Sequence, residues 1–505
     1  MKRTPLAVAL AASAALALSA CTGGGTDAPA EGGVTDLNIG NFLDVTSWDP
    51  SLADIGFDGP YLSAVYDPLL ALDEDGNPTP VLATDWTVSD DFLTVTMNLR
   101  TDAVFSDGEK FDADAAVASL NYLKDGARSS EAYLNVTSVT AVDEDTIEID
   151  LSKRDDTMLY LMGLGRSYMM APDAIAAGTL ATEPVGSGPY TLDADTSVVG
   201  AEYHFDKVAD HWDAATYPFT GLSIYPILDA TARHNAMLSG QVNVNYADPL
   251  NQDQAKEQGW NISSKVSGWV GLQFLDHTGK DLAPLGKLEV RQALNYAFDG
   301  AAILQSVGAG SGEVTNQVFP VGAGGYDASL TDAYAFNLDK AKDLLAQAGY
   351  ADGFALHMPM SPIFQQWQPV VEQTFGELGI DVTWDDMQMP DYQINAPTYP
   401  MFISFLAMDA NPQATVARQV TNVQWYNPKP EYAQFPELAS IVDDIQTQTG
   451  DEQLASITKL NQKLTELAWY SVWYQANNMY YSTEGITVTP ITGMMFPTLR
   501  YIQQG

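Results

Sequence analysis

Leu93-Thr94-Val95-Thr96-Met97-Asn98-Leu99-Arg100 runs on, after four residues, into Phe105-Ser106-Asp107-Gly108-Glu109-Lys110-Phe111-Asp112-Ala113-Asp114. In the first part, Leu93, Val95, Met97 and Leu99 alternate with polar neighbours. That two-residue period predicts a strand with one buried face. Asp107-Gly108 punctuates the chain as a turn. Over 112–123 the period changes, and Ala116, Leu120 and Leu123 recur at helical spacing. Beyond the turn-like Asp143-Glu144-Asp145, Ile147, Ile149 and Leu151 alternate again with Glu148, Asp150 and Ser152. Strand, helix and strand in this order predict a small α/β unit over residues 75–185.

Outward from this unit the same logic holds. On its N-terminal side, 36–41 reads as a strand, and Asp73-Glu74-Asp75-Gly76-Asn77-Pro78 as a hairpin turn. A calcium loop is excluded there, because position twelve counted from Asp73 is Thr84 rather than Glu. On the C-terminal side, Gly186-Ser187-Gly188-Pro189-Tyr190 precedes strand-like pieces at 197–204 and 220–228 and a helix over 230–239 closed by Gly240. Helical spacing returns at Val290, Ala293, Leu294, Ala297 and Phe298, and at Ala341, Leu344, Leu345 and Ala348 before Gly349. It returns again over 368–378 and 451–469, where Leu454, Ile457, Leu460, Leu464 and Leu467 form one stripe. Strands are expected between the helices at 354–358, 380–384 and 401–406. Alternating strands and helices define the α/β class.

The chain begins with Lys2 and Arg3, then an apolar run over 6–20 that is too short for a bilayer span of roughly 20 residues. Such a start reads as an export signal, 1–20. The run ends Leu18-Ser19-Ala20-Cys21, which resembles the lipobox of bacterial lipoproteins, so Cys21 is expected to carry lipid. Residues 21–33 are rich in Gly, Thr and Ala and read as a flexible tether, able to reach ~45 Å when stretched. Cys21 is the only cysteine. It leaves no disulfide, no thiolate metal site and no cysteine nucleophile in the body. Residues 34–505 are far longer than one typical domain. The net charge is −42, from 65 acidic and 23 basic side chains, and it is spread along the chain. Such a surface repels phosphate backbones and argues against nucleic-acid binding.

Five segments in order carry a resemblance. They are Val65-Tyr66-Asp67-Pro68-Leu69-Leu70 with Pro80-Val81-Leu82-Ala83-Thr84-Asp85-Trp86; the block from Leu99 to Asp114; Val185-Gly186-Ser187-Gly188-Pro189-Tyr190; Val290-Arg291-Gln292-Ala293-Leu294-Asn295-Tyr296-Ala297; and Ala341-Lys342-Asp343-Leu344-Leu345-Ala346-Gln347-Ala348-Gly349-Tyr350. Together they resemble the family 5 extracellular solute-binding proteins of ABC importers, the dipeptide, oligopeptide and nickel binders. The resemblance implies an α/β, two-lobed fold of the periplasmic-binding-protein type (type II, cluster C) with an extra inserted α/β domain. It places a discontinuous first domain at 34–74, 186–268 and 472–505, the insertion at 75–185 and a third domain at 269–471. It implies a monomer outside the cytoplasm, anchored to the membrane through Cys21. Such a protein closes its lobes on a ligand, hands that ligand to ABC permease subunits and needs no cofactor.

The resemblance also directs attention to Met401-Phe402-Ile403-Ser404-Phe405-Leu406-Ala407-Met408-Asp409-Ala410-Asn411-Pro412. In peptide-binding members an Asp in such a segment, near a Trp, pairs with the ligand's N-terminal ammonium. Here Phe405 replaces a common Trp, Asn411 replaces the usual Asp before Pro412, and the spacing is one residue shorter. Asp409 is therefore either the amine-binding residue or a turn cap before Pro412. Trp269, Trp367, Trp425, Tyr426 and Phe405 are candidate ligand contacts, since aromatic faces stack on peptide side chains, cations and sugar rings. The alternative for each is core packing. Asp107-Gly108 and 186–188 are expected as backbone turns, and Arg100 and Arg291 as packing or ion-pair residues. An enzyme needs a constellation, and no His-Glu-x-x-His, Gly-x-Ser-x-Gly or free Cys is present. The five histidines, at 204, 211, 234, 277 and 357, lack ligand spacing, so no catalytic or metal residue is named. His204 and His211 are expected in a surface loop, and 308–312 as a loop lacking the last Gly of a dinucleotide fingerprint. The expected ligand is a peptide with a free amine. An oligosaccharide is the alternative within the family, and a secreted enzyme with an unrecognised site, or a structural lipoprotein without a cleft, lies outside it.

Overall fold

Thr94–Leu99 is a strand with Val95, Met97 and Leu99 buried, as its alternation predicts. It lies between Ala83–Val88 and Thr146–Leu151, and Val136–Asp143 completes a four-stranded antiparallel sheet. Helix Ala113–Lys124 packs on this sheet, and the side chain of its N-cap Asp112 accepts the Ala115 N–H at 3.0 Å. The computed structural model describes residues 34–54 and 56–505, and Val34–Gly505 forms one unit. The export signal, Cys21 and the tether read from the sequence lie outside the described residues.

The principal sheet has nine strands. From one edge its order is Met401–Ala407, Asn261–Phe274, Tyr470–Ser482, Val244–Tyr246, Asp36–Asn41, Gly221–Pro226, Glu202–Lys207 and Tyr190–Val198, with Gly312–Glu313 paired to Tyr470–Ser482. Two members of this sheet, Asn261–Phe274 and Tyr470–Ser482, run from a small core around Ala236, Met237, Met479 and Tyr481 into the core of a second lobe. Asn261 faces Ser482 at one end of their antiparallel ladder, and Gln273 faces Tyr470 at the other. The ladder slips between Val266 and Gly268 and again between Val270 and Gly271. A larger core drawn from Leu37 to Val244 and from Ile486 to Ile502, joined by Ala414 and Tyr480, defines a first lobe. The core drawn from Trp269 to Tyr474 defines the second. The four-stranded sheet shares the first lobe's core. Leu70–Leu72 pairs with Pro78–Pro80 across the Asp73 turn, so that hairpin straddles residue 75, where the sequence places the start of an insertion.

Several sequence expectations need correction. The piece at 197–204 is not one strand: Tyr190–Val198 turns back at Gly200 into Glu202–Lys207. Leu454 is 39% exposed, and Leu467 lies beyond the end of helix Gly450–Glu466, so the stripe there is carried by Ile457, Leu460 and Leu464. His211 is not a surface residue. It is buried 3.0 Å from Asp67, whose carboxylate also accepts the Trp212 indole N–H at 2.8 Å. Gly186 and Gly188 are needed for close approach rather than for an unusual backbone angle. A Cβ on Gly188 would stand 2.4 Å from the Val65 carbonyl carbon.

Asp58 gives the first lobe a pH dependence. Its carboxyl is buried and accepts the backbone N–H groups of Thr46 and Asp54, each at 2.9 Å, and the Thr46 hydroxyl. Burial outweighs these bonds and pushes its pKa up to about 6. A carboxyl whose folded pKa lies above its unfolded one stabilises the fold at low pH, and that contribution is lost as pH rises through the folded value. Two pKa units correspond to roughly 3 kcal/mol. Urea unfolding should therefore show this loss between pH 4 and pH 7, and Asp58→Asn should flatten it. An unchanged pH slope in that variant would refute the assignment.

Candidate functional site

Two arginines define the site, and each is carried by a π-helical turn, a form frequent at functional positions. Arg166 ends the turn Met162–Arg166 in the first lobe, and Arg418 lies in Val416–Thr421 in the second. Arg166 Nε and Nη2 donate to Glu131 Oε1 at 3.1 and 2.8 Å. Arg418 Nη1 donates to Asp409 Oδ1 at 2.8 Å. The Tyr160 hydroxyl of the first lobe reaches the same oxygen at 3.3 Å. The charges thus alternate across the lobes as Arg166, Glu131, Arg418, Asp409.

The electrostatics follow from this order. Burial pushes the Asp409 carboxyl up, and the Arg418 guanidinium pulls against it. Burial works against charge on Glu131 too, but Arg166 and Arg418 outweigh it and hold that carboxyl below its usual value. Arg418 stays charged, because Asp409, Tyr426 and Glu131 together overcome its burial. Not every polar atom is spent. Asp409 Oδ2, Arg418 Nε, Arg166 Nη1 and Gln419 Oε1 are buried without a hydrogen-bond partner. Groups of this kind are costly unless something pairs them.

A cavity of about 330 Å³ adjoins the cluster between the lobes. Glu131, Leu134 and Asn135 line it from the first lobe, and Val416, Ala417 and Thr421 from the second. Among the described residues, no aromatic lines it. At its rim, Arg154 Nη1 donates to the Gln448 carbonyl and Gln453 Nε2 to Asp156, both at 2.8 Å and both across the lobes.

The sequence candidates separate on this geometry. Asp409 is at the centre, 1% exposed. It is not the cap before Pro412: the Asn411 side chain takes that role, accepting the Ala414 N–H at 2.8 Å. Tyr426 is buried within reach of the Arg418 charge. Trp425 stacks on Phe402, with ring centroids 5.7 Å apart. Phe405 is half-buried at the crossing of the lobes, its ring over Gly268. Trp269 and Trp367 are buried in the second lobe's core with Tyr426, and none of the five aromatic candidates lines the cavity. Trp269 packs against Tyr470 at 5.5 Å, and the Trp367 indole N–H donates to the Tyr474 hydroxyl at 3.2 Å. Arg100 pairs with Asp102 and stacks on Trp212, whereas Arg291 donates to the carbonyls of Leu285 and Leu467. Glu131, Tyr160, Arg166 and Arg418 were not read from the sequence. Arg418 had one signal, a scarce cation nine residues after Asp409 in a strongly acidic chain.

With fold and site in view, the class is clear. The chain belongs to the bacterial extracellular solute-binding proteins, family 5, whose middle portion matches residues 77–427. Glutathione-binding protein GsiB of Shigella flexneri serotype 5b (strain 8401) is 27% identical over 340 residues, which cover 66% of this chain and 65% of that protein. The matched stretch therefore spans just under two thirds of the relative. Among solved structures, NikA from Brucella suis in complex with Fe(III)-EDTA has a TM-score of 0.79 at 21% identity, covering 93% of this chain and 100% of that one. The periplasmic binding protein DppA from Helicobacter pylori in complex with peptide STSA has a TM-score of 0.77 at 19% identity, covering 94% and 98%. These two likenesses show the fold.

Proposed function

We propose that this protein is the capturing subunit of an ABC importer. It closes its lobes on a small solute of the peptide class and passes it, unaltered, to permease subunits in the membrane. The observation that carries this is the buried charge cluster assembled from both lobes, with donors and acceptors still unspent beside a cavity of about 330 Å³. That volume lies at the lower end of ordinary ligand sites, roughly 300–1,000 Å³. The glutathione-binding relative and the peptide-bound neighbour support the ligand class. An oligosaccharide would call for aromatic platforms, and the cavity has none. The segments 34–74, 186–268 and 472–505 are proposed to move with 75–185 as one body, because residues from Leu37 to Val244 and from Ile486 to Ile502 share one core, while 269–471 moves as the other together with Val472, Trp473 and Tyr474, which pack in the second core.

Thermal unfolding against peptide and oligosaccharide libraries tests the reading. A ligand at about 100 times its Kd adds about 2.7 kcal/mol of apparent stability. Peptides should raise Tm and sugars should not, and scattering should show a smaller radius of gyration when ligand is bound. Steady chemical conversion of the bound solute would overturn the reading. The proposed anchor has its own check: Cys21→Ser should move the folded protein from the membrane fraction to the soluble one.

A further inference from the structure

The lobes also meet at the rim of the cavity, through two side chains of the first lobe that are already paired. Arg154 Nε donates to Asp156 Oδ1 at 2.7 Å, and the same guanidinium lies over the Phe92 ring. Each partner then turns its other side to the second lobe. Arg154 Nη1 donates to the carbonyl of Gln448, which caps helix Pro436–Thr447, and Asp156 Oδ2 accepts Gln453 Nε2 from helix Gly450–Glu466. Gln453 is oriented by its own lobe. Its Nε2 also donates to the Ile445 carbonyl at 2.9 Å, and its Oε1 accepts Gln413 Nε2 at 2.8 Å. Both halves of the seam are thus set before they meet, which lowers the entropy lost on meeting. Next to Gln413, Ala414 adds an apolar contact by packing in the first lobe's core.

The seam differs from the charge cluster in being complete. The cluster keeps buried polar atoms without partners. Among the described residues, no such atom belongs to Arg154, Asp156, Gln413, Gln448 or Gln453. A contact already satisfied needs no solute to finish it. The Arg154 and Asp156 side chains remain 17% and 27% exposed, so water can take over their bonds when the lobes part. Bonds that water can replace contribute modestly, which suits a closure that must reverse.

We propose that the Arg154–Gln448 and Asp156–Gln453 bonds form a latch that holds the lobes together when no solute is present. This rests on the two-lobe reading above and adds a closed population of the empty protein. Neither Gln448 nor Gln453 lines the cavity of about 330 Å³, so their part in the latch acts through lobe position rather than through solute contact. The empty lobes open in intervals, and solute enters during them.

Paired spin labels test this. Cys21 is the only cysteine, so a Cys21→Ser chain carrying Val142→Cys in the first lobe and Ile363→Cys in the second takes labels at two exposed positions alone. Pulsed dipolar spectroscopy without solute should show a shorter, closed distance and a longer, open one. Gln453→Met should raise the open-to-closed ratio about tenfold, the scale of one hydrogen bond to a charged group. Asp156→Ala should raise it at least as far, because it also frees Arg154. The double variant should match Asp156→Ala, since Gln453 acts through that carboxylate. Should Gln453→Met misfold, Asp156→Ala, at a partly exposed site, carries the test. A parent that is wholly open without solute overturns the latch. So does an unchanged ratio in Asp156→Ala, or a double variant that opens further than either single one. If the variants leave the ratio unchanged while a mixture of dipeptides shortens the distance, only the latch falls. If one distance persists in every sample, with dipeptides or without, the closing of the lobes falls with it.

Discussion

Arg418→Met should cost about 3–5 kcal/mol of stability at neutral pH, the penalty for removing one partner of a buried pair. The variant strands Asp409, whose carboxyl is buried and whose sole ion-pair partner among the described residues is Arg418. Tyr160 at 3.3 Å is a weak substitute, and Glu131 adds a second negative charge nearby. The loss should shrink on acidification. Burial already pushes the Asp409 carboxyl up, and removing Arg418 pushes it further. Stability tied to the protonated form is present at low pH and disappears as pH rises through the folded pKa. Urea midpoints at pH 4 and pH 8 measure this. An equal loss at both values would mean that Arg418 acts by packing alone. Adding Asp409→Leu should restore much of the loss, because a buried pair replaced by apolar groups is often neutral or stabilising.

Gly271→Ala should be nearly as damaging. An added Cβ would sit 1.9 Å from the Ser471 carbonyl oxygen, a backbone atom on the neighbouring strand. The site is the second slip in the ladder, between Val270 and Gly271. Neither strand can yield without breaking pairs that hold the second lobe's sheet together. Overpacking costs roughly 1–3 kcal/mol when side chains can adjust, and a backbone neighbour puts this variant near the top of that range, about 3 kcal/mol. Gly376→Ala is the control. It lies in helix Gln368–Glu377 with nothing within 4 Å of its Cβ, and should add roughly 0.5–1 kcal/mol through helix propensity. Similar chemical-denaturation curves for the two variants would show that the close approach at Gly271 is relieved at little cost.

Legibility in the sequence followed solvent. Thr94–Leu99 and Thr146–Leu151 each have one wet face, and their alternation is visible in the residues. Helix Leu338–Gln347 buries only Ala341 and Leu345, so its stripe stands out from charged neighbours. Asn261–Phe274 and Tyr470–Ser482 went unread for the opposite reason. From Ser267 to Phe274 every residue is buried, so no polar position marks a period. Tyr470–Ser482 places Gln475 and Asn478 inside the fold, where they donate to the Phe319 and Met495 carbonyls, and these polar residues imitate a loop. The site divides in the same way. Asp409 was legible through a motif, but its meaning depends on Tyr160, 249 positions away, and on Glu131 and Arg166, whose side chains meet only in the folded molecule. Trp269 and Trp367 mark the limit of composition: an aromatic residue in the right region fills a core as readily as it lines a cleft.

The ladder between Asn261–Phe274 and Tyr470–Ser482 also bears on how the molecule comes to exist. Its strands are separated by roughly 200 residues, a loop whose closure must be met before any of its hydrogen bonds form. Contacts so distant along the chain slow folding, because the entropy of closure precedes the reward. The second lobe's helices are local and can form early, while the ladder that joins the lobes has to wait for nearly the whole chain. Asp409, Arg418 and Glu131 therefore meet only at the end, after both halves have been synthesised and brought together. A chain caught partway has no assembled cluster in which a solute could be trapped, so its hold on ligand is acquired together with its final topology.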